Sequence, residues 1–358
     1  MSSSFLLGGS MVIWYVYPLW HVVSFRLIGE KHVRELRKYF RVYEIDELAF
    51  PHINPYVKAF VFLHPFFFVM SKFGRQVERK LTRFKALIGV DVADSDRISS
   101  LAVSMTNYAT AMIVPSRFSR EAYIRSGVRV PVHVVPHGLD KEWYTKPKDK
   151  PSFFRDLAEK KKKHSLKYLL FFLCHSDFRK GADLVIAFYS ILRKERKDVV
   201  LVVKTMSPDG TFQDIVRSMG GVVVSGWLTE KQKMELYDIC DMYLLFSRGG
   251  GFEQCGLEAL AREEVVLAPR GGSWEEYMPG WGLVDSKPCE YVLKDNPIHN
   301  GRGVEVIVEK AVDKAHAILD NLDEYKGRVR EHKRFLAEKF TWERVGEKLR
   351  DIVYMYSR

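Results

Sequence analysis

Residues 242–264 read MYLLF, then SRGGG, then FEQCGLEALAREE. A short apolar run with the character of a buried strand end meets three glycines, Gly249, Gly250 and Gly251, and then a stretch with helical apolar spacing. That order leaves few folds open. A strand, a tight turn and a helix returning over the sheet form half of a βαβ unit, and such units build parallel sheets. The glycine turn lets the backbone approach whatever sits at the strand end. The helix that follows presents N–H groups and the positive end of its dipole there, which attracts an anion such as phosphate. Glu258 lies about two turns along that helix, far enough to reach past a phosphate to a ribose. One strand–turn–helix unit of this kind has the reach to hold both ends of a nucleotide sugar.

The same alternation extends along the chain. In the first half, 11–17, 42–45, 60–64, 86–92, 111–114 and 132–135 have the continuous apolar character of strands, and 30–40, 99–108 and 120–126 have helical spacing. In the second half, strands are expected at 168–174, 199–204, 222–224, 242–246 and 265–268. Helices are expected at 180–193, 230–238, 252–263, about 303–320, 322–338 and 341–356. Fully apolar strands alternating with helices imply parallel sheets covered on both faces. A charged break with two prolines, 141–167, separates the halves. At 358 residues the chain exceeds one ordinary core. The expected architecture is therefore α/β, with two Rossmann-like doubly wound domains, 1–142 and 143–338, facing a central cleft. Residues 339–358 are expected to form a helix packing back towards the first domain. The opening MSSSFLLGGS has the character of a leader or tag ahead of a second start at Met11.

The net charge of +11 permits anionic partners without choosing among nucleotides, membrane surfaces and nucleic acid. The excess is concentrated early: 1–140 carries 18 Lys+Arg and 11 Asp+Glu, so +7 lies there. Lys72, Arg75, Arg79, Lys80, Arg83 and Lys85 follow the apolar segment AFVFLHPFFFVM. They read either as a solvated helix face or as a patch touching anionic lipid or a polyanionic acceptor. Lys160–Lys163 read as a solvated helix end. Most basic runs have helical periodicity, so nucleic acid is not an expected partner. Cys174, Cys240, Cys255 and Cys289 show no CxxC pairing, which argues against a disulfide framework or zinc site and fits a reducing compartment. The apolar segments 11–25 and 59–70 are too short to span a bilayer, so the expected location is cytoplasmic, at most at the inner membrane face. Five Asn and four Gln against plentiful charge lean towards a thermophilic source. Trp14, Tyr15, Tyr17 and Phe66–Phe68 read as core, and Trp20 as a candidate lining of an acceptor groove.

A series of stretches in order resembles a known family. VPSRFSREAYIRSGVRVPVHVVPHGLD (114–140) is similar to a pattern vPSxxxxxxxxxG…vxPNGvD, with His137 replacing Asn. FFLCHSDFRKGADLVIAFYSIL matches the K-G of the family's R…K-G pattern at Lys180 and Gly181, with His175 where Arg is usual. GWLTEKQKMELYDICDMYLLFS opens at Gly226, the glutamate helix follows, and Gly271, Gly272 and Glu275 supply GG-x-x-E. FTWERVGEKLRDIVYMY resembles the family's closing helix. Together these resemble the GT-B retaining glycosyltransferases of family four. The likeness is good over 110–280, moderate at the terminus and only architectural over the first 100 residues.

The chain departs from that family at E-G-F-G-x-x-x-x-E. Glu258 takes the second glutamate. The first falls on Gly250 without a gap, or on Glu253 if the alignment is shortened. The loop after the first strand also lacks the usual glycine pair and reads Tyr17-Pro18-Leu19-Trp20-His21. The resemblance implies transfer of a sugar from a UDP- or GDP-linked donor to a saccharide, lipid-linked or protein acceptor. It implies retention, no cofactor and no metal. Arg179 and Lys180 would meet phosphate oxygens, with the backbone of Gly250, Gly251, Phe252 and Glu253 beside them. Glu258 would bind ribose, Glu253 the transferred sugar, and Gly226 and His175 would complete the nucleotide-sugar site. Near the reacting carbon, Asp94 and Asp91 are the first candidates, with His64 behind them. Asp96 suits a helix cap near Ser99. The alternatives are a GT-B relative with other chemistry, such as an epimerase or phosphorylase, a catalytically inactive relative, and a basic nucleic-acid or anion-binding protein.

Overall fold

The computed structural model describes residues 11–21, 23–54, 58–145 and 151–357; the leader expected at 1–10 lies outside the described residues. The strand β1 (Val12–Tyr17) is buried at every position after Val12, as a strand covered on both faces must be. Ile13, Tyr15 and Tyr17 belong to one apolar cluster and Trp14 and Val16 to another, so successive side chains feed opposite faces of one sheet. After β1 come α1 (Ser24–Leu36), β2 (Arg41–Asp46), β3 (Ala59–Leu63), α2 (Phe66–Glu78), β4 (Phe84–Val90) and α3 (Ser100–Thr106). Next are β5 (Ala111–Val114), α4 (Arg117–Ser126) and β6 (Val132–Val134). These six strands pair in parallel in the order β2-β1-β3-β4-β5-β6.

The second series is α5 (Arg155–Lys163), β7 (Lys167–Leu173), α6 (Asp177–Lys180), α7 (Ala182–Glu195), β8 (Val199–Thr205), α8 (Thr211–Ser218) and β9 (Val222–Val224). It continues through α9 (Glu230–Ile239), β10 (Met242–Leu244), α10 (Gln254–Ala261), β11 (Val265–Pro269) and β12 (Leu283–Val284). Its six-stranded parallel sheet has the order β12-β11-β10-β7-β8-β9. The hairpin β13 (Ser286–Cys289) and β14 (Gly303–Val306) is antiparallel, and α11 (Val308–Asp320), α12 (Leu322–Lys339) and α13 (Trp342–Met355) close the chain. The fold is thus two doubly wound parallel sheets, as the alternation of apolar runs predicts.

The chain divides into two compact units. One holds the chain up to Gly138 with Asp295–Gly301 and Phe340–Arg358; the other holds Leu139–Lys294 and Arg302–Lys339. In the first, α13 sends Trp342, Val345, Leu349, Ile352 and Val353 into the apolar cluster that α1 also enters. The helix expected from about 303 begins at Val308 instead. Residues 303–306 (GVEV) form a strand because SKPC at 286–289 pairs with them, and a partner containing proline gives no local strand signal.

Two charged segments differ from their expected solvated state. Lys80 is buried, and its Nζ donates to the carbonyls of Phe50, Pro51 and Ile53 at 3.0, 2.6 and 2.6 Å. It pins the short turn after β2 and leaves the basic run one member short on the surface. Lys161 is half-buried and bonds Asp241 at 2.7 Å and the carbonyl of Ile239 at 2.6 Å. Among the aromatics, Trp14, Tyr15, Tyr17, Phe66 and Phe67 are core, whereas Phe68 and Trp20 are exposed, Trp20 at 81%. No helix among the described residues is long and apolar enough to cross a membrane.

Candidate functional site

In an open parallel sheet, ligands bind beyond the carboxyl ends of the strands where the winding direction reverses. In the second unit that point lies between β7 and β10, since β8 follows β7 on one side and β10 flanks it on the other. The segment after β7 carries Arg179 and Lys180 on α6, and the segment after β10 carries Gly249–Glu253.

Gly181 brings the two segments together. Its φ is +76°, and a side chain there would run into the Phe246 carbonyl, so only glycine lets the α6–α7 turn lie against the end of β10. Arg248 N donates to Arg179 O at 2.7 Å. The buried Arg248 guanidinium forks onto Asp183 at 2.7 Å, bonds Glu305 at 2.8 Å and Phe178 O at 2.6 Å, and lies 3.9 Å from the Phe178 ring centroid. One side chain thus ties α6, α7 and β14 to the glycine segment. Burial opposes its charge, but Asp183 and Glu305 outweigh that and hold its pKa above the usual arginine value.

Glu253 stands where these segments meet. Its backbone is left-handed (φ +59°), its carbonyl accepts from Tyr277 Oη at 2.6 Å, and its side chain is 7% exposed. The carboxylate bridges both cations, with Arg179 Nη1 3.2 Å from Oε1 and Lys180 Nζ 2.6 Å from Oε2. Arg179 also donates to Gly249 O at 3.2 Å. A Cβ on Gly250 would overlap the Glu253 carboxylate, so this glycine makes room for the bridge. Glu253 caps no backbone N–H of α10 with its side chain; it offsets half the charge of the pair expected to meet phosphate.

Glu258 is buried on α10. Its Oε1 accepts from Lys233 Nζ at 2.9 Å and its Oε2 from Tyr237 Oη at 3.0 Å. Burial raises the Glu258 pKa, with Lys233 opposing. Burial works against the Lys233 ammonium, but Glu258 and Glu230 outweigh it and hold its pKa above the usual lysine value. The ammonium also lies 5.0 Å from the Trp143 ring centroid. Sequence reasoning missed Lys233, Tyr237 and Arg248. The signal for the first two was their i, i+4 spacing, which puts them on one face of α9.

The remaining nucleotide-sugar candidates separate. The Phe252 side chain is 2% exposed and packs 5.3 Å from the Tyr277 ring, so the expected ligand contact of Phe252 falls to its backbone. Gly251 is buried beside it. Gly226 follows β9 at φ +85° with open space at its Cβ, and the neighbouring Trp227 is 61% exposed. His175, on the loop after β7, is exposed rather than packed, and its Nδ1 lies 2.8 Å from Ser176 Oγ.

In the first unit the switch point lies between β1 and β3. His64, directly after β3, is buried with its Nδ1 3.2 Å from Tyr15 Oη, and the same hydroxyl lies 2.7 Å from His32 Nδ1. Asp91 differs from its expected position facing a ligand. It is 4% exposed, and its carboxylate accepts from Phe67 N and Val92 N, each at 2.8 Å. It is a brace for the start of α2. Burial pushes its pKa up to about 7, against those two bonds. Asp94 is only part-buried on the loop after β4, and its N–H lies 3.4 Å from His299 Nδ1. The cap of α3 is Ser99, which accepts from Ala102 N, rather than Asp96.

No family model matches the chain. Uncharacterized protein 356 of Sulfolobus islandicus rod-shaped virus 1 is 37% identical over 358 residues, covering 96% of this chain and 99% of that protein. A Sulfolobus islandicus filamentous virus protein named "Putative glycosyltransferase 45" is 29% identical over 196 residues, 52% of this chain and 50% of its own length. Among solved structures, Anabaena Alr3699/HepE in complex with UDP and glucose superposes with a TM-score of 0.69 at 11% identity, over 96% of this chain and 100% of that one. A glycosyltransferase from Rickettsia africae gives 0.67 at 14% identity, over 98% and 99%. The fold is accordingly that of the GT-B glycosyltransferases.

Proposed function

The chain belongs to the family of the rod-shaped virus protein 356, and we propose that it is a glycosyltransferase that moves a sugar from a nucleoside diphosphate donor to an acceptor hydroxyl. The observation that carries this reading is the Arg179–Lys180–Glu253 cluster, held against a glycine segment at the switch point of the second sheet. UDP is the favoured leaving group, because the HepE structure similar to this one contains UDP and glucose.

Breaking the anomeric C–O bond leaves negative charge on the diphosphate. Arg179 and Lys180 are fixed beside that position, and preformed charges stabilise the departing group without reorganisation. In doing so they take the role a metal ion has elsewhere, so the proposed reaction is metal-independent. An incoming diphosphate replaces the Glu253 carboxylate on the two cations, and the released carboxylate is then next to the transferred sugar. Glu258 has two oxygens with lone pairs beyond those used by Lys233 and Tyr237, and these accept from the ribose hydroxyls. Asp94 is the first-unit residue proposed nearest the reacting carbon, now that Asp91 is committed to α2. The order of motifs supports a retaining outcome and membership of family four. The acceptor is a saccharide, a lipid-linked sugar or a protein, bound by the first unit, where the exposed Trp20 offers an apolar face.

The test is a donor screen by release of nucleoside diphosphate, preceded by melting in UDP, GDP and ADP. Stabilisation by one of them of about 1–3 kcal/mol names the base. Lys180→Ala and Glu258→Ala each lower turnover by more than about tenfold, equivalent to about 1.4 kcal/mol of barrier. Stabilisation by DNA or RNA alone overturns the reading; full activity in both variants overturns the assignment of Lys180 and Glu258 to the site.

A further inference from the structure

Among the described residues of the second unit, the buried cations Arg179, Arg248 and Arg262 each have a carboxylate: Glu253 for the first, Asp183 and Glu305 for the second, Asp238 for the third. Half-buried Lys180, Lys233, Lys161 and Lys326 are paired as well. Lys204 is the exception among the buried ones. It is 4% exposed, near the carboxyl end of β8. Its Nζ makes one hydrogen bond, donated to Thr205 O at 2.8 Å. No carboxylate pairs with it among the described residues.

The register shows which way it faces. Lys204 is the partner of Phe172 on β7, and paired residues of adjacent strands point to the same face. Phe172 stacks on Tyr237 with ring centroids 5.2 Å apart, and Tyr237 bonds Glu258. Lys204 therefore lies on the face of the sheet that carries the α9–α10 machinery. The groups nearest to it electrostatically are the thiols of Cys174 and Cys255 and the Lys233 ammonium. Burial pushes the Cys255 thiol up to about 12, so it stays neutral and supplies no counter-charge. Leu173, the last residue of β7, pairs with Thr205, the last of β8, so Lys204 lies at the carboxyl edge of the sheet, the edge that carries the switch point.

A buried ammonium with one neutral acceptor is costly unless an anion completes it. Arg179, Lys180, Lys204 and Lys233 are four cations, and the carboxylates paired with them are Glu253, Glu258 and Glu230, so positive charge is left over where an anionic ligand is proposed. We propose that Lys204 is a third cationic contact for the donor's diphosphate, approaching it from β8 while Arg179 and Lys180 approach from α6. This assignment rests on the nucleoside diphosphate reading of the crevice. A residue of this kind destabilises the empty protein and is repaid when ligand binds, which a structural lysine does not do.

The experiment is calorimetric titration of the full chain with UDP, GDP and ADP, alongside melting of the unliganded protein. Lys204→Met weakens the diphosphate that wild type binds by at least tenfold, while the unliganded variant melts no lower than wild type. Lys204→Gln, which keeps a donor for Thr205 O without the charge, shows the same loss, and Lys204→Arg recovers part of the affinity. Wild-type affinity in either neutral variant overturns the assignment alone. So does an unliganded Met variant that melts below wild type yet binds normally. A wild type that binds none of the three nucleotides overturns the nucleotide reading and this assignment with it.

Discussion

Lys180 Nζ and Glu253 Oε2 are 2.6 Å apart, and Glu253 holds this position in a left-handed backbone conformation. The cation expected to grip a diphosphate is thus already occupied by an acid of the same chain, and binding is an exchange of one anion for another.

That exchange has a measurable sign. Glu253→Gln removes the resident charge, so UDP titration gives tighter binding than wild type, by about 1 kcal/mol or roughly fivefold, while sugar transfer slows. Weaker UDP binding in the variant means that the carboxylate orients Lys180 instead of competing for it.

The Lys233–Glu258 pair is largely enclosed, with side chains 22% and 6% exposed. Lys233→Met leaves a buried carboxylate with Tyr237 alone and costs about 3 kcal/mol in urea melts. Adding Glu258→Gln recovers part of that loss, because no unpaired charge remains. Strict additivity of the two substitutions shows the pair to be uncoupled.

Gly181 tolerates no side chain, because its φ is positive and the Phe246 carbonyl fills the space a Cβ would need. Gly181→Ala lowers stability by about 2 kcal/mol or more and weakens nucleotide binding, since α6 can no longer seat against β10. A variant with wild-type melting temperature and affinity removes this constraint.

Lys80 acts inside the first unit. Lys80→Met orphans the carbonyls of Phe50, Pro51 and Ile53 and costs about 2 kcal/mol. Its retention on vesicles containing anionic lipid, if wild type is retained at all, is unchanged. A change in retention without a change in stability places the amine on the surface.

The histidines around Tyr15 give the first unit a pH dependence. Burial, with His137 adding, pushes His64 down to about 3 from an ordinary 6.5, and burial with His64 and His137 holds His32 well below its usual value. Between those two pH values the unfolded chain binds more protons than the folded one. Stability therefore rises with pH across that window and falls on acidification, by roughly 1 kcal/mol per pH unit for each histidine. Urea midpoints at pH 4, 5, 6 and 7 read this slope directly, and His64→Asn makes it shallower. An unaltered slope in the variant places the titration elsewhere.

The alternation of apolar runs with helical spacing was enough to determine two doubly wound parallel sheets, and SRGGGFEQ and FRKG were enough to put glycines and cations at adjoining strand ends. Those features are local: a strand records its burial in every residue, and a crowded turn at a strand end records itself in glycine, as at Gly181. Pairings were not legible, because they join residues far apart in the chain. Lys180 and Glu253 are 73 positions apart and Lys233 and Glu258 are 25, and nothing in either neighbourhood names the other. The same reason explains Asp91, which reads as a strand-end acid until α2 folds over it, and Lys80, which reads as surface charge until three carbonyls close around it. It also explains 303–306, whose strand exists only because 286–289 lies beside it. Periodicity reports how much of a residue is covered; what covers it is settled by tertiary packing alone.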